Sequence, residues 1–404
     1  MYRRPENIRI DDYSYDLPPE RIARYPLAER DTSKMLVWDG KQITDSVFSD
    51  LPSLTGSKSL LVFNNTRVIR ARLLFRKESG AAIEIFCLEP SEPHDFALSL
   101  ASSEPVEWKC LVGNLKRWKN GTLQAQFTGR YGSGTLNADR IKPEGDAFIV
   151  RFSWEGTGTT FGEILEAMGH MPIPPYLDRD DEESDTLTYQ TVYAAVEGSV
   201  AAPTAGLHFT PVVLDALARR GISRADITLH VSAGTFRPVK SEKISDHLMH
   251  TEHFFVTRET LLQLRDSHMI AIGTTTVRTL ESIYWLGVQH AEGRMVPGNI
   301  PSVSQWEPYR SDPQMDMSAA TDHVLTFLDE NGSDILEAGT DIIIVPGYRF
   351  RAVRGMLTNF HQPRSTLLLL VAAFTGNAWK DIYDHALKSG YRFLSYGDCM
   401  LLMP

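Results

Sequence analysis

From Leu60 the apolar positions close up into short strand-like runs. SLLVFNNTRVIRARLLF is rich in Leu, Val and Ile, and GAAIEIFCLEP resumes after Gly80 with apolar and polar residues in alternation, the period of a strand with one buried face. EWKCLVGNL, TLQAQFTGRYGSG, TLNADRI and DAFIVRFSW continue in the same manner, with turn residues between them and little helical periodicity. Such a series predicts a small antiparallel β-barrel or sandwich over residues 70–155.

After Gly162 the period changes. EILEAMG predicts a short helix, and MPIPPYLDRDDEES, stiffened by prolines and acidic beyond them, a connection or active-site loop. Thr210 is placed to cap the helix that Pro211 opens, and Gly221 to stop it. ITLHVSAGTF reads as the next strand, followed by a polar, histidine-bearing helical region and a helix near Glu259–Leu264. MIAIG predicts a buried strand leading through Thr274, Thr275 and Thr276 into the helix VRTLESIYWLG, with Thr275 as its cap. DIIIVPGY reads as a strand, and GMLTNFH as another that delivers His361 to its end. Ser365 then caps TLLLLVAAFTG, apolar nearly all round and therefore central, and the last helix ends near Gly390. With pairing back to the first sixty residues, this predicts a multidomain α/β protein, not of the Rossmann type: a discontinuous larger domain, 1–69 and 156–404, with a β-barrel domain, 70–155, inserted.

A length of 404 residues suits two or three cores rather than one. No apolar stretch follows Arg3 and Arg4, and the longest greasy run, Leu367–Phe374, is far below the roughly 20 residues that span a bilayer, so no membrane partner is expected. Three scattered cysteines fit a reducing compartment, and the expected location is the cytoplasm. The net charge of -10 argues against a protein that coats nucleic acid. Local charge qualifies that: Arg67, Arg70, Arg72, Arg76 and Lys77 form one basic group, Lys116, Arg117 and Lys119 a second, and Arg349, Arg351, Arg354 and Arg364 a third. Each is either a solvated face or part of an RNA footprint.

Familiar motifs are missing. There is no GxxxxGK[ST] loop, HExxH or paired CxxC, no metal is expected, and EGTGTTFG (155–162) reads as an ordinary turn rather than a dinucleotide loop. Four other segments stand out. AAPTAGLHFTP holds His208 just ahead of a helix start, where it is either functional or a hydrogen-bonded core residue. GTTTVRTLES gathers hydroxyls and free amides at a helix amino terminus, suited to a carboxylate unless the threonines merely cap. NFHQPRS sets Asn359, His361 and Arg364 between a strand and a buried helix, and His361 titrates in the range of an acid/base catalyst. YGDCM brings Tyr396 and Asp398 near the carboxy terminus, where its aromatic and small residues favour docking.

These segments carry a resemblance. The chain is similar to the S-adenosylmethionine:tRNA ribosyltransferase-isomerase family of queuosine biosynthesis in YDLPPERIARYPLAERDTSKMLV, LLVFNNTRVIRARL, YQTVYA, AAPTAGLHFT, GTFRPV, GTTTVRTLES, PGYRF, NFHQPRSTLLLLV and YRFLSYGDCML. These anchors span almost the whole chain in family order. Departures fall at Asn65, Arg70 and Ala195, where members carry an acid, a proline and an arginine, and residues 105–150 are longer than usual.

The resemblance implies an active site in a cleft between domains, with S-adenosylmethionine as ribosyl donor and tRNA carrying 7-aminomethyl-7-deazaguanine at the wobble position as acceptor. Epoxyqueuosine-tRNA, adenine and methionine would be the products. Related ribosyl transfer to another RNA base, or tRNA binding without catalysis, is the alternative. On this footing His208 and His361 are the acid/base pair, and Glu281 balances the sulfonium or pairs with Arg278. Thr274, Thr275 and Thr276 hold the methionine end, and Arg278 binds its carboxylate or steers RNA. Asn64, Thr66 and Arg67 stand at the entry to the β domain, with Arg67 the first choice for a phosphate contact, and Arg364, Tyr396 and Asp398 are further substrate or tRNA contacts. A monomer is preferred as the oligomeric state.

Overall fold

A computed structural model describes residues 7–77, 79–130, 132–155, 158–232 and 239–404. The apolar runs sort into two large sheets. In one, β1 (Lys34–Trp38), β2 (Ser59–Asn64), β3 (Ser223–Leu229), β4 (Glu252–Thr257), β5 (His268–Ile272), β6 (Val353–Asn359) and β7 (Cys399–Leu402) are joined by strands Ile43–Val47, Ser302–Val303 and Ile335–Thr340. The middle of this ten-stranded sheet runs β4-β3-β2-β5-β6-β7-β1, and β3, β2, β5 and β6 are mutually parallel. All six residues of β2 are buried, as expected of a parallel strand covered on both faces. Leu60 and Val62 enter the core on one side, and Leu61 and Phe63 the core on the other.

Two helices on one side matter for the site. Helix α1 (Thr274–Ala291) leaves the end of β5 and is buried from Thr274 to Gln289. Helix α2 (Thr366–Thr375) follows β6, and Ser365 caps it by accepting from the Leu368 N–H, as the sequence predicts. Thr210 likewise caps Pro211–Arg219. Parallel strands that feed helices leave a crevice beyond their carboxyl ends, the place where open α/β sheets bind ligands.

The second sheet is antiparallel and barrel-like, with strands in the order Arg72–Arg76, Ala82–Glu92, Val106–Val112, Ala147–Glu155, Gly132–Glu144 and Leu123–Gly129. Its core of Trp108, Phe152, Leu136 and their neighbours also takes in Phe161, Ile164 and Leu165. Those three lie on helix Phe161–Met168, which Thr160 and Glu163 open with a capping box. The apolar packing of the small sheet thus continues past residue 155.

Three local expectations are corrected. Thr275 does not cap α1: Gly273, at φ 92°, is the N-cap and no side chain among the described residues caps it, because the Gly273 N–H is tied to the Leu357 carbonyl at 2.8 Å and the helix starts two residues earlier than expected. The histidine-bearing stretch before β4 holds only the 3-10 turn Ile244–Asp246, since Gln305 fixes the Met249 N–H and the His247 carbonyl in an extended path. DIIIVPGY forms no ladder: the pairing strand is Ile335–Thr340, and Tyr309 bonds both the Ile343 carbonyl and the Val345 N–H. In ITLHVSAGTF the strand stops at Leu229, and Ala233–Phe236, like all of GTFRPV except Val239, fall outside the described residues, as do Gly156 and Thr157 of the glycine-rich turn.

Candidate active site

The carboxyl ends of β5 and β6 lie side by side and open on a small cavity. It is lined by Ala201–Ala205, Gly273, Thr274, Thr275, Thr358, Asn359, His361, Ser365 and Ser395, among others. GTTTVRTLES, NFHQPRS and AAPTAGLHFTP therefore converge, through backbone or side chain, on one place. The amides at the start of α1 have no side-chain cap and present positive partial charge there.

His361 is held from several directions. Its Nε2 lies 2.9 Å from Thr358 Oγ1, its N–H donates to Tyr383 Oη at 3.1 Å, and its carbonyl accepts from the Tyr15 hydroxyl. Beside it, Asn359 Nδ2 donates to the Leu394 carbonyl at 3.1 Å and to His208 Nε2 at 3.3 Å, which leaves Asn359 Oδ1 buried without a partner among the described residues. A lone amide acceptor in a cavity wall suits a ligand N–H, because leaving it unmade costs about 1–3 kcal/mol. Asn359 drew notice in the sequence only through its position in NFHQPRS; the orphaned oxygen is a three-dimensional fact.

His208 stands one layer back. Its Nδ1 meets Ser33 Oγ at 3.0 Å, Ser33 donates to the Arg30 carbonyl, and the ring stacks on Phe48. With Asn359 donating to Nε2, the proton sits on Nδ1. Both nitrogens are thus engaged by protein groups, and His208 touches the cavity through Asn359.

Burial pushes the His361 imidazole down to about 3. Burial, followed by the charge of Arg392, does the same to His208. Both rings are therefore neutral at pH 7. Unfolded, they take up protons near pH 6.5, whereas folded they refuse them until about pH 3, so the unfolded state binds more protons throughout that interval and stability falls as pH drops. Each ring is expected to remove up to about 1.4 kcal/mol per pH unit below 6.5. Urea unfolding between pH 7 and 4 checks this: the slope should become shallower in His208→Asn, and an unchanged slope contradicts the buried neutral state.

The other predicted residues divide clearly. Thr274 and Thr275 line the cavity, but Thr276 turns its hydroxyl back onto the Ile272 carbonyl at 2.8 Å. Glu281 lies deeper along α1, fully buried, accepting from the Tyr348 hydroxyl at 2.6 Å and from the N–H groups of Arg351, Ala352 and Val353. It neither lines the cavity nor pairs with Arg278, whose partner is Glu252. Asn64 bridges both backbone groups of Leu229 and accepts from the Thr66 N–H, while Thr66 Oγ1 contacts His230 Nδ1 at 3.3 Å. Asp398 clamps the Lys34 and Arg392 amides, and the Tyr396 hydroxyl donates to Asp185 at 3.0 Å.

The arginines are largely engaged by carboxylates. Arg364 pairs with Asp11, Arg351 with Asp312, Arg72 with Glu84, and Arg70 with Glu183. Arg67 keeps half its side chain exposed, 3.9 Å from Glu197, beside a groove that also takes in Arg70, Glu163, Gln190 and Ala195. Of the departures noted in the sequence, Asn65 accepts from the Thr228 hydroxyl and Arg70 reaches across to the acidic loop before Thr186.

A family described as queuosine biosynthesis protein matches residues 10–402. The chain belongs to that family. Among similar family members, the S-adenosylmethionine:tRNA ribosyltransferase-isomerase of Nitrosospira multiformis is 37% identical, over 98% of both chains. The enzyme of the same name from Pelobacter propionicus is 36% identical, over 97% of this chain and 99% of its own. A crystal structure of S-adenosylmethionine tRNA ribosyltransferase from Thermotoga maritima shares 28% identity over 97% of this chain and all of that one, with a TM-score of 0.46.

Proposed function

We propose that this protein is an S-adenosylmethionine:tRNA ribosyltransferase-isomerase, moving the ribosyl group of S-adenosylmethionine onto 7-aminomethyl-7-deazaguanine at the tRNA wobble position. Epoxyqueuosine-tRNA, adenine and methionine are the products. The observation that carries the reading is the match to an enzyme of that name across 98% of each chain. The cavity supports it with a neutral imidazole, an unpaired amide oxygen and the start of α1 around one point.

His361 is the residue assigned to proton transfer. Neutral at pH 7, it takes the proton from ribose C5′, acidified by the adjoining sulfonium, and hands it as imidazolium to the departing adenine. An imidazole with so low a pKa is a weak base and, once charged, a strong acid. Most of the activation therefore comes from the sulfonium and from fixed dipoles such as those at the start of α1. His208 positions Asn359, and Asn359 Oδ1 accepts from an N–H of the bound donor. Thr274 and Thr275 hold the methionine end, and Arg67 meets a tRNA phosphate.

The division into 1–69 with 156–404 and an inserted 70–155 is supported in outline by the two sheets, each with its own core, while helix Phe161–Met168 adds its apolar face to the smaller one. Among the described residues no helix is long and apolar enough to cross a membrane, and a cytoplasmic location suits a tRNA substrate. Incubation with S-adenosylmethionine and tRNA bearing the aminomethyl base, followed by nucleoside mass spectrometry, should give epoxyqueuosine with one adenine and one methionine per event. S-adenosylhomocysteine as product, or RNA retention with intact donor, ends the reading.

A further inference from the structure

A second cavity, of about 520 Å³, shares Thr275 and Leu367 with the first, so the two meet at the start of α1. That size suits a small ligand. In its wall lie Arg278 and Glu252, 6% and 3% exposed. Arg278 Nη1 donates to Glu252 Oε2 and Nε to the Ile342 carbonyl at 3.0 Å, but Nη2 is buried with no partner among the described residues. Glu252 Oε1 accepts the Ser232 N–H at a long 3.4 Å. A guanidinium is a planar fork of five donors, and a buried charged donor left unmade is costly, which points to an acceptor arriving from the cavity.

The charge balance narrows the choice. Arg278 and Glu252 already neutralise each other, and a lone anion placed between them would leave one buried charge uncompensated. A zwitterion does not: its carboxylate meets Arg278 Nη2 and the uncapped start of α1 one turn away, while its ammonium meets Glu252. We propose that the Arg278–Glu252 pair is the subsite that reads the amino-acid end of S-adenosylmethionine, both charges together. This rests on the ribosyl-transfer reading and extends it, because Glu252 makes the protein selective for a donor that keeps an intact α-amino acid.

Isothermal titration of the full chain tests it with three probes. These are S-adenosylmethionine, its decarboxylated form, which keeps the ammonium alone, and its deaminated form, which keeps the carboxylate alone. Each truncated probe should bind about 10–100-fold more weakly, the value of a hydrogen bond to a charged group. Arg278→Lys should reduce the decarboxylation penalty, and Glu252→Gln the deamination penalty, to below about threefold. Equal binding of all three probes by the wild type overturns the proposal, as does retention of both wild-type ratios in variants that melt normally. If the variants fail to fold, the wild-type ratios decide. Turnover of modified tRNA without probe selectivity removes the subsite and leaves the ribosyl transfer standing; selectivity without turnover does the reverse.

Discussion

Replacing His361 by alanine is expected to slow adenine release in a single turnover by about 10²–10⁴-fold, the usual contribution of a positioned acid/base group. His361 lines the cavity, and the bonds of its backbone to Tyr15 and Tyr383 do not involve the imidazole. Donor binding should accordingly stay within severalfold of wild type. His208→Ala should act more mildly, because that ring reaches the cavity only through Asn359. Rapid-quench measurement of adenine with saturating donor and modified tRNA separates the two. Equal losses would make the histidines a matched pair, and full activity in His361→Ala would remove it from the chemistry.

The second large effect is on stability. Glu281→Ala leaves three backbone N–H groups and the Tyr348 hydroxyl without their acceptor inside the core. Each unmade buried bond costs about 1–3 kcal/mol, so a loss of at least about 3 kcal/mol is expected. Burial pushes the Glu281 carboxyl up, against the four hydrogen bonds that pull it down; the group is a structural acceptor for the turn that feeds β6. Chemical denaturation should show the loss, and Glu281→Gln should recover part of it. A Glu281→Ala protein with unchanged stability and no turnover would return this residue to the reaction.

The site was legible where a strand ends and a helix begins. MIAIG and GMLTNFH are apolar runs that stop at polar residues, and their neighbouring positions in the sheet bring Thr274, Thr275 and His361 together. Asn64, Thr66, Asp398 and Glu281 were equally conspicuous polar residues in apolar surroundings. What the linear pattern could not convey is that backbone groups already use them: Asn64 serves Leu229, 165 positions away, and Asp398 serves Lys34, 364 away. Glu252 went unnoticed because it opens a strand in a stretch that reads as helical, and its partner Arg278 lies on another element. The strand Ile335–Thr340 was missed for a different reason. DIIIVPGY is the greasier segment, but Pro346 and the Tyr309 hydroxyl divert its backbone from a ladder.

The pairing of β1 with β7 places residues 35–38 alongside 399–402. During synthesis the first of these strands leaves the ribosome long before its neighbour exists, and the Ser33–His208–Asn359 chain needs segments from early, middle and late translation. Contacts so distant along the chain form late and fold slowly. A growing polypeptide therefore cannot close the Ser33–His208–Asn359 chain until Asn359 has been made, nor complete the β1 pairing until β7 follows it.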